Sequence, residues 1–121
     1  MRILAIDYGR KKCGIAISDS KNKVAIPYGT IETENLFSEI ERLIEKKNIS
    51  KIVIGLPLSL SGKEIEITGD IYRLKQKIEE MFKLEVILLD ERMTSKIFKK
   101  DNVDDLSAMI LLQDYLKLSS S

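Results

Sequence analysis

Met1-Arg2-Ile3-Leu4-Ala5-Ile6-Asp7-Tyr8-Gly9 is an apolar run that ends on a carboxylate. It reads as a buried strand over residues 2–8 that carries Asp7 to its tip. The basic turn Gly9-Arg10-Lys11-Lys12 follows. Cys13-Gly14-Ile15-Ala16-Ile17-Ser18 then folds back as an antiparallel partner. After the polar turn 19–23, Val24-Ala25-Ile26-Pro27 begins a third strand that Thr30-Ile31-Glu32 continues, and Pro27 marks it as an edge.

Beyond this hairpin the pattern alternates helix and strand. Leu36, Ile40, Leu43 and Ile44 share one face of a first helix, with Asn35 as its expected N-cap. Ile52-Val53-Ile54-Gly55-Leu56 is a continuous apolar run, as in a central strand covered on both faces, and Pro57 ends it. Ile67, Ile71, Leu74, Ile78 and Met81 step at helical spacing. Val86-Ile87-Leu88-Leu89 is a fifth strand that runs into Asp90-Glu91-Arg92. Leu106, Met109, Ile110 and Leu112 belong to a last helix, apolar on most sides and therefore buried. This order predicts an α/β fold: one domain over residues 1–121, with a mixed five-stranded sheet, its N-terminal part three-stranded and antiparallel, flanked by helices.

Composition narrows the function. The 121 residues are 44% hydrophobic and 32% charged with a net charge of +1, so the chain is globular and carries no bulk charge that announces nucleic acid or membrane. No run approaches the roughly 20 apolar residues of a membrane span, and the short start is not a signal peptide. A cytoplasmic protein with no membrane partner is expected. Histidine is absent and Cys13 is the single cysteine, which argues against structural zinc and disulfides. Any metal would be held by oxygen, which suits magnesium or manganese.

Asp7, Glu91 and the Asp104-Asp105 pair are acids at the ends of apolar elements. Such placement is costly unless a cation neutralises it. In an open α/β sheet, chemistry sits beyond the carboxyl ends of the parallel strands, where Asp7 and Glu91 are expected. Each acid also has a plainer reading. Asp104 and Asp105 suit the first turn of a helix through its dipole. Glu91-Arg92 can be a surface ion pair. Arg10-Lys11-Lys12 is either a solvated turn or a phosphate contact. Lys46-Lys47 reads as a solvated face, Cys13 as a small buried apolar group, and Asp19 and Gly55-Leu56-Pro57 as structural.

Five segments, in order, resemble a known family. They are Ile6-Asp7-Tyr8-Gly9, Gly14-Ile15-Ala16-Ile17-Ser18-Asp19, Gly55-Leu56-Pro57-Leu58, Asp90-Glu91-Arg92-Met93-Thr94 and the run from Asp104 through Gln113. Together they look like the YqgF/RuvX family of the ribonuclease H-like superfamily. The resemblance implies a ribonuclease H-like fold and a nuclease that matures the 5′ end of pre-16S ribosomal RNA, with ribosomal precursor particles as candidate partners. An alternative is cleavage of branched DNA at Holliday junctions. By position, the implied catalytic and metal-binding triad is Asp7, Glu91 and Asp104. Asp104 is chosen over Asp105 by counting back from Gln113. The family carries a longer basic stretch before its last helix than residues 95–103 supply here, which bears on substrate grip.

The chemistry needs no histidine. Two magnesium or manganese ions roughly 4 Å apart can activate water, neutralise the phosphate and stabilise the leaving oxygen. Asp7 would bridge the ions, with Glu91 and Asp104 on either side. Arg10, Lys11 and Lys12 beside Asp7, and Arg92, Thr94 and Lys96 past Glu91, are the candidate substrate contacts, with Lys99 and Lys100 behind them. Contacts of this kind position a backbone without reading its sequence. Two other classes stand against the nuclease: a non-catalytic nucleic-acid or ribosome-assembly module with a weakened groove, and an ATPase related to the actin-like kinases, whose phosphate hairpin resembles Asp7-Tyr8-Gly9 followed by Gly14.

Overall fold

A computed structural model describes residues 1–56, 67–90 and 104–119. Its elements run β1 (Arg2–Asp7), β2 (Lys12–Ser18), β3 (Ala25–Glu32), a 3-10 turn (Thr33–Asn35), α1 (Leu36–Lys47), β4 (Ile49–Leu56), α2 (Ile67–Phe82), β5 (Glu85–Asp90) and α3 (Asp104–Ser119). The five strands form one sheet in the order β3-β2-β1-β4-β5. The β1–β2 and β2–β3 pairs are antiparallel, while β1–β4 and β4–β5 are parallel. This is the mixed sheet with an antiparallel N-terminal part that the sequence predicts, and Pro27 does lie on an edge strand. β3 runs unbroken from Ala25 to Glu32, as the continuation through Thr30-Ile31-Glu32 predicts. Within it the register shifts opposite Ile15/Ala16, where Gly29 and Pro27 are the successive partners, so Tyr28 is the extra residue of a bulge.

Two cores cover the two faces of the sheet. Strand alternation sends Leu4, Ile6, Ile15, Ile17, Ile52 and Ile54 to the face under α1 and α2. There they meet Leu36, Ile40 and Leu43 of α1 and Ile71, Leu74 and Ile78 of α2. Ile3, Ala5, Ala16, Ala25 and Val53 face the other way, onto Ala108, Leu111, Leu112 and Leu116 of α3. The small side chains on that face let α3 lie close against the sheet. Truncating one of the fully buried leucines or isoleucines to alanine costs about 2–5 kcal/mol.

Three expectations need correction. Asn35 holds the expected N-cap position of α1, but its side chain makes no cap bond; it closes the 3-10 turn, and its carbonyl accepts from the Ser38 hydroxyl at 3.0 Å. Met81 steps at the predicted spacing but is exposed, because the neighbouring Phe82 takes the place against the core in that turn of α2. Leu106 is exposed too, and the buried stripe of α3 is Ser107, Ala108, Leu111, Leu112 and Leu116. A helix apolar on most sides does not reveal which side is covered. α1 ends as its sequence allows, with Asn48 in the left-handed conformation (φ 55°) and its N–H on the Ile44 carbonyl. Among the described residues no helix is long and apolar enough to cross a membrane.

Candidate active site at the carboxyl end of β1

Asp7 is the last residue of β1, the central strand, where the antiparallel and parallel halves of the sheet meet. It pairs with Gly14 and is half-buried. Alternation places it on the same face as Ile3 and Ala5, the face that α3 covers. Tyr8 follows on the opposite face, packed against the α1/α2 core.

The direction of α3 follows from two contacts near its far end. The Gln113 side-chain oxygen accepts from the backbone N–H of Ala25 at 3.1 Å, and Lys51 Nζ donates to the Tyr115 hydroxyl at 3.2 Å. Ala25 opens β3 and Lys51 lies near the start of β4, so the later turns of α3 sit over the beginning of the β1–β4 pair. Residues 104–115 span about 16 Å of helix. That is close to the roughly 17 Å between the first and last residues of β1. The helix therefore starts at the level of the strand end that carries Asp7. Asp104 is its first residue.

The basic turn is held rather than loose. The Thr33 hydroxyl donates to the Gly9 carbonyl at 2.7 Å, and the Thr33 N–H donates to the Lys11 carbonyl at 2.8 Å. Cys13 Sγ, buried as expected, lies 3.4 Å from the Thr33 hydroxyl. Gly9 is required here, because a Cβ would come within 2.4 Å of the Lys12 carbonyl oxygen. The three cations of the turn do not act alike. Arg10 reaches α2 and pairs with Asp70 at 3.3 Å, and Asp70 also holds Arg73. Lys11 and Lys12 are exposed, and with Arg10 they line a shallow cleft of about 370 Å³ whose other wall is Glu32 and Glu34. Those two glutamates offset part of the turn's positive charge.

On the α2 side of the strand end, burial pushes the Tyr8 phenol above its ordinary pKa, and the Asp70 carboxylate adds to the rise. Arg10 and Arg73 pull it the other way. Tyr8 stays neutral through the physiological range. Thr33, Asp70 and Arg73 escaped the reading of the sequence. Thr33 follows the pairing of Lys12 with Glu32, and nothing in the local pattern marks that register.

Of the remaining candidates, Glu91, Arg92, Thr94, Lys96, Lys99 and Lys100 lie outside the described residues, as does the whole 95–103 connection. So does the side chain of Asp104. Among the described residues no three acidic or cysteine side chains converge as metal ligands. Asp7 is thus the one member of the implied triad with a described side chain. Asp19, read as structural, is so: its carboxylate accepts from the N–H groups of Lys23 and Val24 at 2.7 and 3.0 Å.

The sequence model of the RuvX family, described as Holliday junction resolvase, matches residues 1–118. A protein of a Sulfurihydrogenibium species is 39% identical over 95% of this chain and 89% of its own length. One of Bacteroides thetaiotaomicron is 36% identical over 96% of each chain, and one of Maridesulfovibrio salexigens 34% identical over 96% of this chain and 98% of its own. All three bear the name "Putative pre-16S rRNA nuclease". The last alignment runs over 132 positions against 121 residues here, so that relative carries positions this chain lacks. Among solved structures, a protein from Listeria monocytogenes described as "a putative N-acetylmannosamine kinase" shares the fold, at 19% identity and a TM-score of 0.50 over 75% of this chain. This chain covers 35% of that one, and the likeness carries nothing of its chemistry.

Proposed function

Because this chain belongs to the RuvX family, within the ribonuclease H-like proteins, we propose that it is a nuclease, a hydrolase of phosphodiester bonds that works on the precursor of 16S ribosomal RNA. The observation that carries the reading is Asp7 at the open end of the central strand, on the face that α3 covers, beside a basic turn fastened by Thr33.

Asp7, Glu91 and Asp104 would hold magnesium or manganese. The donor set fits a hard cation: it is all oxygen, and the chain has no histidine and one cysteine, which is buried away from solvent. Bound there, the ion supplies an activated water and offsets the charge of the scissile phosphate. The protein's own share is positioning. Lys11 and Lys12 attract the strand and hold neighbouring phosphates, while Thr33 and Gly9 keep that turn at a set distance from Asp7. With α3 starting at that level, Asp104 would approach the site from the same end of the sheet. A substrate of this kind puts the protein's work in the cytoplasm, on RNA that is free or in a precursor particle, with residues 1–121 acting as one domain.

Branched DNA is the second substrate reading, because the family's own description names junction resolution. One experiment separates the two. The protein is incubated with magnesium or manganese on single-stranded RNA carrying the 5′ precursor sequence, on duplex DNA and on a four-way junction, with Asp7→Asn beside it. Cleavage of the RNA by the parent and not by the variant supports the proposal. Cleavage confined to the junction favours resolution. Equal cleavage by both proteins removes Asp7 from the chemistry.

A further inference from the structure

A groove of about 390 Å³ opens on the other side of the strand end from Asp7. Tyr8 forms its end wall, Phe37 of α1 and Leu74 of α2 are its apolar sides, and Arg73 and Lys77 stand on its rim. We propose that this groove is a nucleobase subsite, taking one unpaired base of a single-stranded nucleic acid whose backbone passes over the end of β1. The proposal rests on the nuclease reading and adds where the strand lies and what holds it.

Four observations support a base as the occupant. First, Tyr8 and Phe37 offer aromatic surface in a cleft large enough for a base, and base–aromatic stacking tolerates any sequence because every base has a π-face. Second, Lys77 Nζ stands 5.2 Å from the centroid of the Phe37 ring. Its ammonium rides on a flexible stem, so a base taking that ring face would move it onto the adjoining phosphate. Third, the acids of the groove do not repel a polyanion strongly. Asp70 is held by Arg10 at 3.3 Å and by Arg73, and Glu80 accepts from the Gln76 amide at 3.4 Å, so both acids of the groove are partnered beside the cations Arg73 and Lys77. Fourth, Tyr8 adjoins Asp7 in the chain, with consecutive Cα atoms about 3.8 Å apart. Their side chains lie on opposite faces of the sheet, so a strand that crosses the end of β1 with its scissile phosphate at Asp7 brings a base a nucleotide or so along to Tyr8. The Tyr8 hydroxyl, and the Gln76 amide once it turns from Glu80 at 3.4 Å, can meet the base edge without a fixed sequence preference. A duplex does not fit this arrangement, since its bases are stacked on one another.

The test is binding without metal, so that it does not depend on cleavage. A fluorescent single-stranded RNA of about ten nucleotides is titrated by anisotropy in the presence of a chelator, next to its duplex and a set of copies each abasic at one position. The parent should bind the single strand more tightly than the duplex, and one abasic position should cost at least about fivefold, the lower range of one base–aromatic stack. Phe37→Leu, which keeps the apolar packing, should lose a similar factor on the intact strand and be insensitive to the abasic position. Lys77→Gln, on the exposed side of α2, should weaken the intact strand without unfolding anything. Equal binding of intact and abasic strands by the parent would overturn the proposal. So would a Phe37→Leu variant that binds the intact strand as the parent does. The nuclease reading fails separately, by metal-dependent cleavage that survives Asp7→Asn. Abasic-sensitive binding alongside that result would keep the subsite and remove the catalytic assignment.

Discussion

Thr33 closes the turn that begins at Gly9: its hydroxyl donates to the Gly9 carbonyl at 2.7 Å, from a residue that follows the third strand. The same residue's N–H reaches the Lys11 carbonyl at 2.8 Å. The turn after β1 is thereby fastened to the end of the hairpin that follows it, and the position of Lys11 and Lys12 relative to Asp7 becomes a property of the sheet.

Thr33→Val keeps the shape and removes the hydroxyl. It should lower stability by about 1 kcal/mol, the net value of one hydrogen bond, which is a fall of several degrees in Tm. RNA affinity should fall with it, and Thr33→Ser should restore both. Gly9→Ala should be worse, at about 1–3 kcal/mol, because the new methyl group meets a backbone carbonyl that cannot swing aside. Thermal melts and RNA titrations of the three variants check this, and a Thr33→Val protein with unchanged melting and affinity would show the turn to be held elsewhere.

Asp7→Asn should abolish cleavage while leaving metal-free stability equal or higher. Carboxylates gathered for a metal repel one another when the metal is absent, so neutralising one relieves that repulsion. Calorimetry with a chelator decides the matter: a clear loss of metal-free stability would mark Asp7 as a structural residue.

Lys11→Ala with Lys12→Ala should weaken single-stranded RNA binding across all sequences alike. The slope of log affinity against log salt should become shallower by roughly 0.7 for each phosphate that is no longer neutralised. Because Glu32 and Glu34 line the same cleft, the parent slope should already be shallow. Replacing Lys96, Lys99 and Lys100 by alanine is the comparison: if that triple variant alone changes the slope, the phosphates are gripped past Glu91 and not beside Asp7.

Asp19 predicts an acid limb of stability. The Val24 N–H, then that of Lys23, hold its carboxyl below its ordinary pKa of 3.8. A carboxyl with a depressed folded pKa contributes stability that is present above the unfolded value and lost as pH falls through the folded one. Asp19→Ala should therefore be less stable than the parent above about pH 5, and the two should converge as pH drops below about 4. Denaturant midpoints across that range test it, and a gap that persists at low pH would mean the turn owes its order to something other than the charge.

Much of this protein was legible in its sequence. The apolar run to Asp7, the Gly14 hairpin and the alternating elements after it dictate the five strands and their hydrophobic faces, because strand and helix periods are written locally. Burial of Cys13 and the structural role of Asp19 follow from residue type and turn chemistry in the same way. What the tertiary structure alone decided are matters of pairing and direction. The Tyr28 bulge, the 3-10 turn that leaves the Asn35 side chain out of its cap, and the exposure of Met81 and Leu106 depend on which neighbour each element meets. Arg10 turns to Asp70, sixty residues along the chain, and Thr33 reaches back to Gly9 across the hairpin. Gln113 and Tyr115 fix the course of α3, which brings its first turn to the end of β1. No local pattern encodes these contacts, since each joins residues that only the assembled sheet and its covering helices bring within hydrogen-bonding distance.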